Sequence, residues 1–300
     1  VHGSRGLGDV YKRQAMPRPR ASQTPSFALE FASSFVVCAA LATLDVQATL
    51  ARKYLGPILE RVGARALADD DAAVTLALLF VNLAIVFSPS YQALTRGATN
   101  NPTAYALKGM LGDTGAARAC ANACAAVLAH VCALKAVMVV MRTHPEYLPG
   151  KGAIAPIVPT GTTASAAAAE TAVVAANFLF FGLAERAFAA ALIPTLVSGF
   201  YVMTMMIEGC RYSCGYMNPS TVIASHALAG DLKSREAFEA IAPYVIGGIA
   251  GSVIVAIAAK VLVPEPKSAK RARAQSKAVV RSISKARAGG AATRKGAKQK

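Results

Sequence analysis

The sequence predicts an all-α membrane protein: six transmembrane helices plus two re-entrant half-helices, arranged as an inverted repeat. Three observations carry this. Hydrophobic residues make up 54% of the 300 positions and charged residues only 16%, against roughly 25% charged in soluble domains. Six stretches are long and apolar enough to cross a bilayer, which takes about 20 residues each. Two shorter segments, at matching places between those stretches, both open on Asn-Pro. Mean hydropathy is +0.42. A soluble enzyme, a disulfide-rich secreted module and a wholly disordered chain are excluded on these grounds.

The elements follow in chain order. Residues Val1–Ala15 carry no periodic pattern and read as non-native upstream sequence, with Met16 as the expected start. Residues 1–26 as a whole form an expected disordered, cationic N-terminus. The apolar run after it, Phe27–Leu50, competes with a signal-peptide reading, but it is too long for one and lacks a small-residue cleavage site. The remaining spans are Ala72–Leu94, Gly115–Met141, Thr163–Glu185, Arg186–Ile207 and Ala240–Val263. The chain therefore divides into a first three-helix repeat (27–142), a connecting loop (143–162), a second repeat (163–264) and a disordered basic tail (265–300).

Charge sets the expected orientation. The net charge is +16, and residues 265–300 supply +11 of it, from twelve Lys/Arg and one Glu. Positive-inside logic places both termini in the cytoplasm, and an even span count agrees. Directly after a span, such a tail is expected to touch anionic lipid headgroups rather than nucleic acid.

The half-length segments are Pro102–Gly112 and Pro219–Gly230. The first opens Asn100-Asn101-Pro102-Thr103 and the second Met217-Asn218-Pro219-Ser220; both close on Gly-Asp, at Gly112-Asp113 and Gly230-Asp231. Each follows two spans and precedes one. Two units of odd span number must lie inverted in the membrane. Pro suits the first helical position and Asn the cap before it. Both helices thus start abruptly, and inversion brings both starts to the midplane. Glu30 and Glu170, near the starts of spans one and four, form a second matched pair; ionisable groups at such depth are satisfied within the bundle.

Together these residues resemble the aquaporin (major intrinsic protein) superfamily, over roughly Glu30 to Pro264. The boxes stand here as Asn101-Pro102-Thr103 and Asn218-Pro219-Ser220. The Thr in the first box, with the basic tail, is similar to the unorthodox branch of plant small basic intrinsic proteins and superaquaporins. The resemblance implies a homotetramer with one pore per subunit, amide donors from Asn101 and Asn218 at the midplane, and Glu30 and Glu170 bracing the loops that carry the half-helices. Ungapped spacing to the boxes implies an outer constriction of Val81, Met206, Gly215 and Thr221, with Phe80 an alternative to Val81. Thr221 stands where ordinary family members place Arg, so a wider and uncharged constriction is expected.

The implied function is a passive channel for water and small neutral solutes. Alternatives are a glycerol, urea or hydrogen peroxide channel, a non-conducting scaffold of the same fold, and a proton-coupled transporter using Glu30 or Glu170. No catalytic residue, cofactor site or metal site is expected. His130 reads as an interface or pore-side group, His226 as part of the second half-helix and His144 as a loop residue; Asp45 and Lys135 are either an intramembrane pair or span-end residues. Cys120 and Cys124 read as small packing residues, while Cys38, Cys132, Cys210 and Cys214 carry no metal-like spacing. An internal, endoplasmic-reticulum-like membrane is preferred over the plasma membrane.

Overall fold

A computed structural model describes residues 24–63, 71–144, 155–187, 212–213 and 215–262. All regular structure in them is helical. Among the described residues three helices are individually long and apolar enough to cross a membrane, and a bent pair, taken as one span, makes a fourth. The predicted fifth span, beyond Ala187, and the basic tail lie outside the described residues.

The first predicted span is corrected. It forms two helices, α1 (Phe27–Ala42) and α2 (Leu44–Arg61), bent by 59° between them. The hinge has a polar cause. Thr43 Oγ1 donates back to the Ala39 carbonyl (2.9 Å), and Gln47 Nε2 donates to the Ala40 carbonyl (2.6 Å). Side chains that bond back to helix carbonyls compete with the backbone ladder and bend it. The second predicted span is also broken: α3 (Asp71–Phe87) stops at Ser88, whose hydroxyl caps α4 (Pro89–Leu94) by accepting from Tyr91 N.

Both half-length segments form helices, α5 (Pro102–Leu111) and α8 (Pro219–Ala229). Each ends on a glycine in the left-handed region, Gly112 (φ 80°) and Gly230 (φ 77°), the backbone geometry that favours glycine at a helix end. Between them run α6 (Ala116–Thr143) and α7 (Thr163–Ala187), and α9 (Arg235–Leu262) closes the order. Two more boundaries are corrected here. Helix α7 continues through Arg186 without a break, and α9 begins five residues ahead of the predicted Ala240.

Small residues make the close crossings. Helix α6 packs on α1, α5 and α8 through Ala125, Ala126, Ala129 and Ala133, all fully buried. On α9, a Cβ added at Gly247 would sit 2.5 Å from Glu170 Cβ, and one at Gly248 would sit 2.5 Å from Thr103 Oγ1. The opposite face of α9 exposes Ile246, Ile249 and Val253. Large apolar residues outside and Gly and Ser inside is the pattern of a helix whose surroundings are lipid. The chain is an integral, multi-pass membrane protein.

Candidate functional site at the meeting of the half-helices

The two half-helices are capped by the same device. Asn101 and Asn218 have extended backbones, and their Oδ1 atoms accept from Thr103 N (2.9 Å) and Ser220 N (3.0 Å). Pro102 and Pro219 occupy the first helical positions, where a missing N–H costs nothing. The residues before the caps, Asn100 (φ 56°) and Met217 (φ 50°), are left-handed. That conformation costs a non-glycine residue about 1 kcal/mol, least for Asn, and persists where surroundings over-determine it.

The surroundings do so reciprocally. Asn101 Nδ2 donates to the Met217 carbonyl (2.9 Å), and Asn218 Nδ2 donates to the Asn100 carbonyl (2.8 Å). Each half-helix is thus tied at its N-terminus to the loop that starts the other. The positive ends of two helix dipoles meet here, at backbone that is tolerated in a membrane only when buried in protein or lining a cavity.

Two buried carboxylates hold the loops. Glu30 accepts from Asn100 N (2.8 Å), Thr99 N (3.2 Å), Ser34 Oγ (3.1 Å) and the Tyr105 hydroxyl. Glu170 accepts from Met217 N (3.1 Å) and Ser213 Oγ (2.7 Å), while Tyr244 donates its hydroxyl to the Ser213 carbonyl. Both acids are fully buried. Each therefore anchors the left-handed residue ahead of one Asn-Pro.

The overall fold has a counterpart among solved structures. The chain is similar to the X-ray structure of the aquaglyceroporin from Plasmodium falciparum, with a TM-score of 0.54 and 15% identity over 80% of this chain and 98% of that one. The fold is the aquaporin fold. No protein-family model and no curated protein matches the sequence.

The predicted site residues divide three ways. Asn101, Pro102, Thr103, Asn218, Pro219 and Ser220 come together around the paired caps. Thr103 and Ser220 are buried, Thr103 against Gly248 of α9. Of the outer-constriction set, Gly215 is buried with φ 63° and donates to Ser213 Oγ (3.3 Å), Thr221 is half-buried, and Met206 lies outside the described residues. Val81 is 50% exposed, on the far face of α3 from Leu79 and Leu83, which pack with Met217.

Other residues are settled by geometry as well. Cys120 and Cys124, expected as packing residues, are exposed, as is Cys132; Cys38 is buried and free. Cys210 and Cys214 lie outside the described residues. Asp45 and Lys135 are both exposed, and among the described residues no ion pair joins them. No group of three potential metal ligands occurs among the described residues. His226 is buried, with Nδ1 3.1 Å from the Asp231 carboxylate and Nε2 3.1 Å from the Ile157 carbonyl, which fastens α8 to the segment ahead of α7.

The sequence reading missed Ser33, Tyr91, Tyr105, Ser213 and Tyr244. Asn100 Oδ1 accepts from Ser33 Oγ (2.7 Å), and that oxygen lies 2.8 Å from the Tyr91 hydroxyl. Ser33 and Ser34, one turn after Glu30 in an otherwise apolar run, were the available signal. The tyrosines gave none.

Proposed function

We propose that this protein is a passive channel of the aquaporin kind, conducting water and small neutral solutes. The observation that carries the reading is the reciprocal bond between Asn101 and the Met217 carbonyl and between Asn218 and the Asn100 carbonyl. An amide nitrogen has two hydrogens, so each Asn keeps one beyond its loop bond. Such a hydrogen, beside a helix N-terminus, suits the oxygen of a passing water, and the opposed dipoles disfavour protons and cations. Glu30 and Glu170 act as braces, and their carboxylate oxygens are engaged by loop and hydroxyl donors rather than aligned as a relay. A tetramer, cytoplasmic termini and a tail against anionic lipid complete the proposal.

Thr221 favours passage of solutes larger than water, such as glycerol, urea or hydrogen peroxide. Arg at that place would bring a permanent charge and five donors on a long side chain; Thr brings a hydroxyl and a methyl. Stopped-flow measurements on proteoliposomes test both statements. Purified protein should raise water and glycerol flux above empty liposomes, and Thr221→Arg should cut glycerol flux more than water flux, by several-fold in the ratio. No flux of either in the parent defeats the channel; an unchanged ratio in folded Thr221→Arg removes residue 221 from the constriction.

A further inference from the structure

The two Asn amides are not left in the same state, and the difference traces to one residue. His130 is 2% exposed on α6. Its Nδ1 lies 2.8 Å from the Ala126 carbonyl, and its Nε2 lies 3.5 Å from Asn218 Nδ2. A carbonyl only accepts, so Nδ1 carries the proton. A neutral imidazole has a single N–H, which leaves Nε2 as a bare acceptor facing the Asn218 amide. No carboxylate contacts the ring among the described residues, and a buried, unpaired imidazolium is costly. Asn218 Nδ2 therefore has two acceptors, the Asn100 carbonyl and the imidazole, for its two hydrogens. Asn101 Nδ2 has the Met217 carbonyl and no second acceptor among the described residues. The spacing between Gly112 and Gly230 carries His130 onto Gly248 in the second repeat, a residue without a side chain to offer.

We infer that His130 is a positioning and selectivity residue: it holds the second amide hydrogen of Asn218, so the midplane presents one free amide donor, that of Asn101, instead of two. This rests on the channel reading above. A file of waters would be gripped from one side at its centre, and a solute needing two donors there would be disfavoured. The 3.5 Å separation makes the imidazole a yielding partner, one that competes with the permeant for the hydrogen.

Two variants separate this from simple packing. His130→Leu keeps bulk and removes the acceptor; His130→Gln supplies a carbonyl oxygen at similar reach. Water flux in folded, size-checked His130→Leu should rise about two- to twelvefold, the range for freeing one ordinary hydrogen bond, with His130→Gln at the parent level. In parallel, 15N-labelled parent protein in bilayers should show a histidine with protonated Nδ1 and bare Nε2, correlated through space with the Asn218 amide. The sequence has four His, and the signal missing from His130→Gln identifies the right one. A conducting parent whose Leu variant gains nothing, or whose Gln variant behaves like Leu, overturns the inference. So does a protonated Nε2 or an absent correlation, whether or not the protein conducts. A parent that passes no water sinks the channel reading instead, and the spectrum alone then decides whether the imidazole holds the amide.

Discussion

The two half-helices do the same mechanical job with different side chains around them. Each has an Asn cap, a Pro start, a left-handed residue before the cap and a glycine end. Behind the first, Glu30 gathers four donors, and Ser33 and Tyr91 continue the polar cluster onto Asn100. Behind the second, Glu170 takes two, and support comes instead from Tyr244 through Ser213 and from His226 at the far end. What is shared is backbone geometry and the donors it must satisfy. The means of satisfying them has drifted, which is how two repeats can keep a common shape with little common sequence.

The largest expected effect breaks the braces unequally. Glu30→Gln turns one acceptor oxygen into a donor among four donors, whereas Glu170→Gln does so among two. Each buried donor left without an acceptor costs about 1–3 kcal/mol. Glu30→Gln should therefore lose more folded protein in detergent, measured as thermal midpoint by size-exclusion chromatography. Equal loss from both would mean that the donor count does not set the stability of the loops.

A middling effect concerns the glycines that only the second repeat uses. Gly247→Ala drives a methyl against Glu170 Cβ and the Ala167 carbonyl, and overpacking of this kind costs about 1–3 kcal/mol. In the first repeat an alanine already stands at the crossing, and Ala129→Gly should cost about 0.5–1 kcal/mol by backbone entropy. The same thermal assay ranks them; a milder Gly247→Ala would show that α9 can shift away from α7.

The smallest effects should have opposite signs. Ser220 Oγ is buried without a hydrogen-bond partner among the described residues, so Ser220→Ala removes an unmet polar group and should stabilise by about 1 kcal/mol. Thr103 packs against Gly248, so Thr103→Ala leaves a methyl-sized gap and should cost about 1 kcal/mol. If both destabilise, Ser220 has a partner in the bilayer.

Much of this was legible in the chain. Asn-Pro to Gly-Asp fixed the half-helices to within a residue because caps and left-handed glycines are local chemistry. Glu30 and Glu170 stood out because acids are rare in apolar runs. The hinge at Thr43 was overlooked, since averaged hydropathy is blind to a threonine bonding back to a carbonyl. Tyr105 reads as an ordinary apolar residue, and its carboxylate partner lies 75 positions away. His130 could be read as an interface or pore-side group but not given a partner, because its amide partner lies 88 positions away.

The crossed amide bonds also order the protein's birth. Asn101 has its loop partner 116 residues further along the chain. At about 5–20 residues per second of synthesis, the first half-helix waits roughly 6–23 s for the carbonyl that completes it. Until then Asn101 has an unmet donor, and the left-handed Asn100 is held by Glu30, Ser33 and Ser34. The denser bracing around the first half-helix is what such a wait demands. The second half-helix arrives to find its partner already standing.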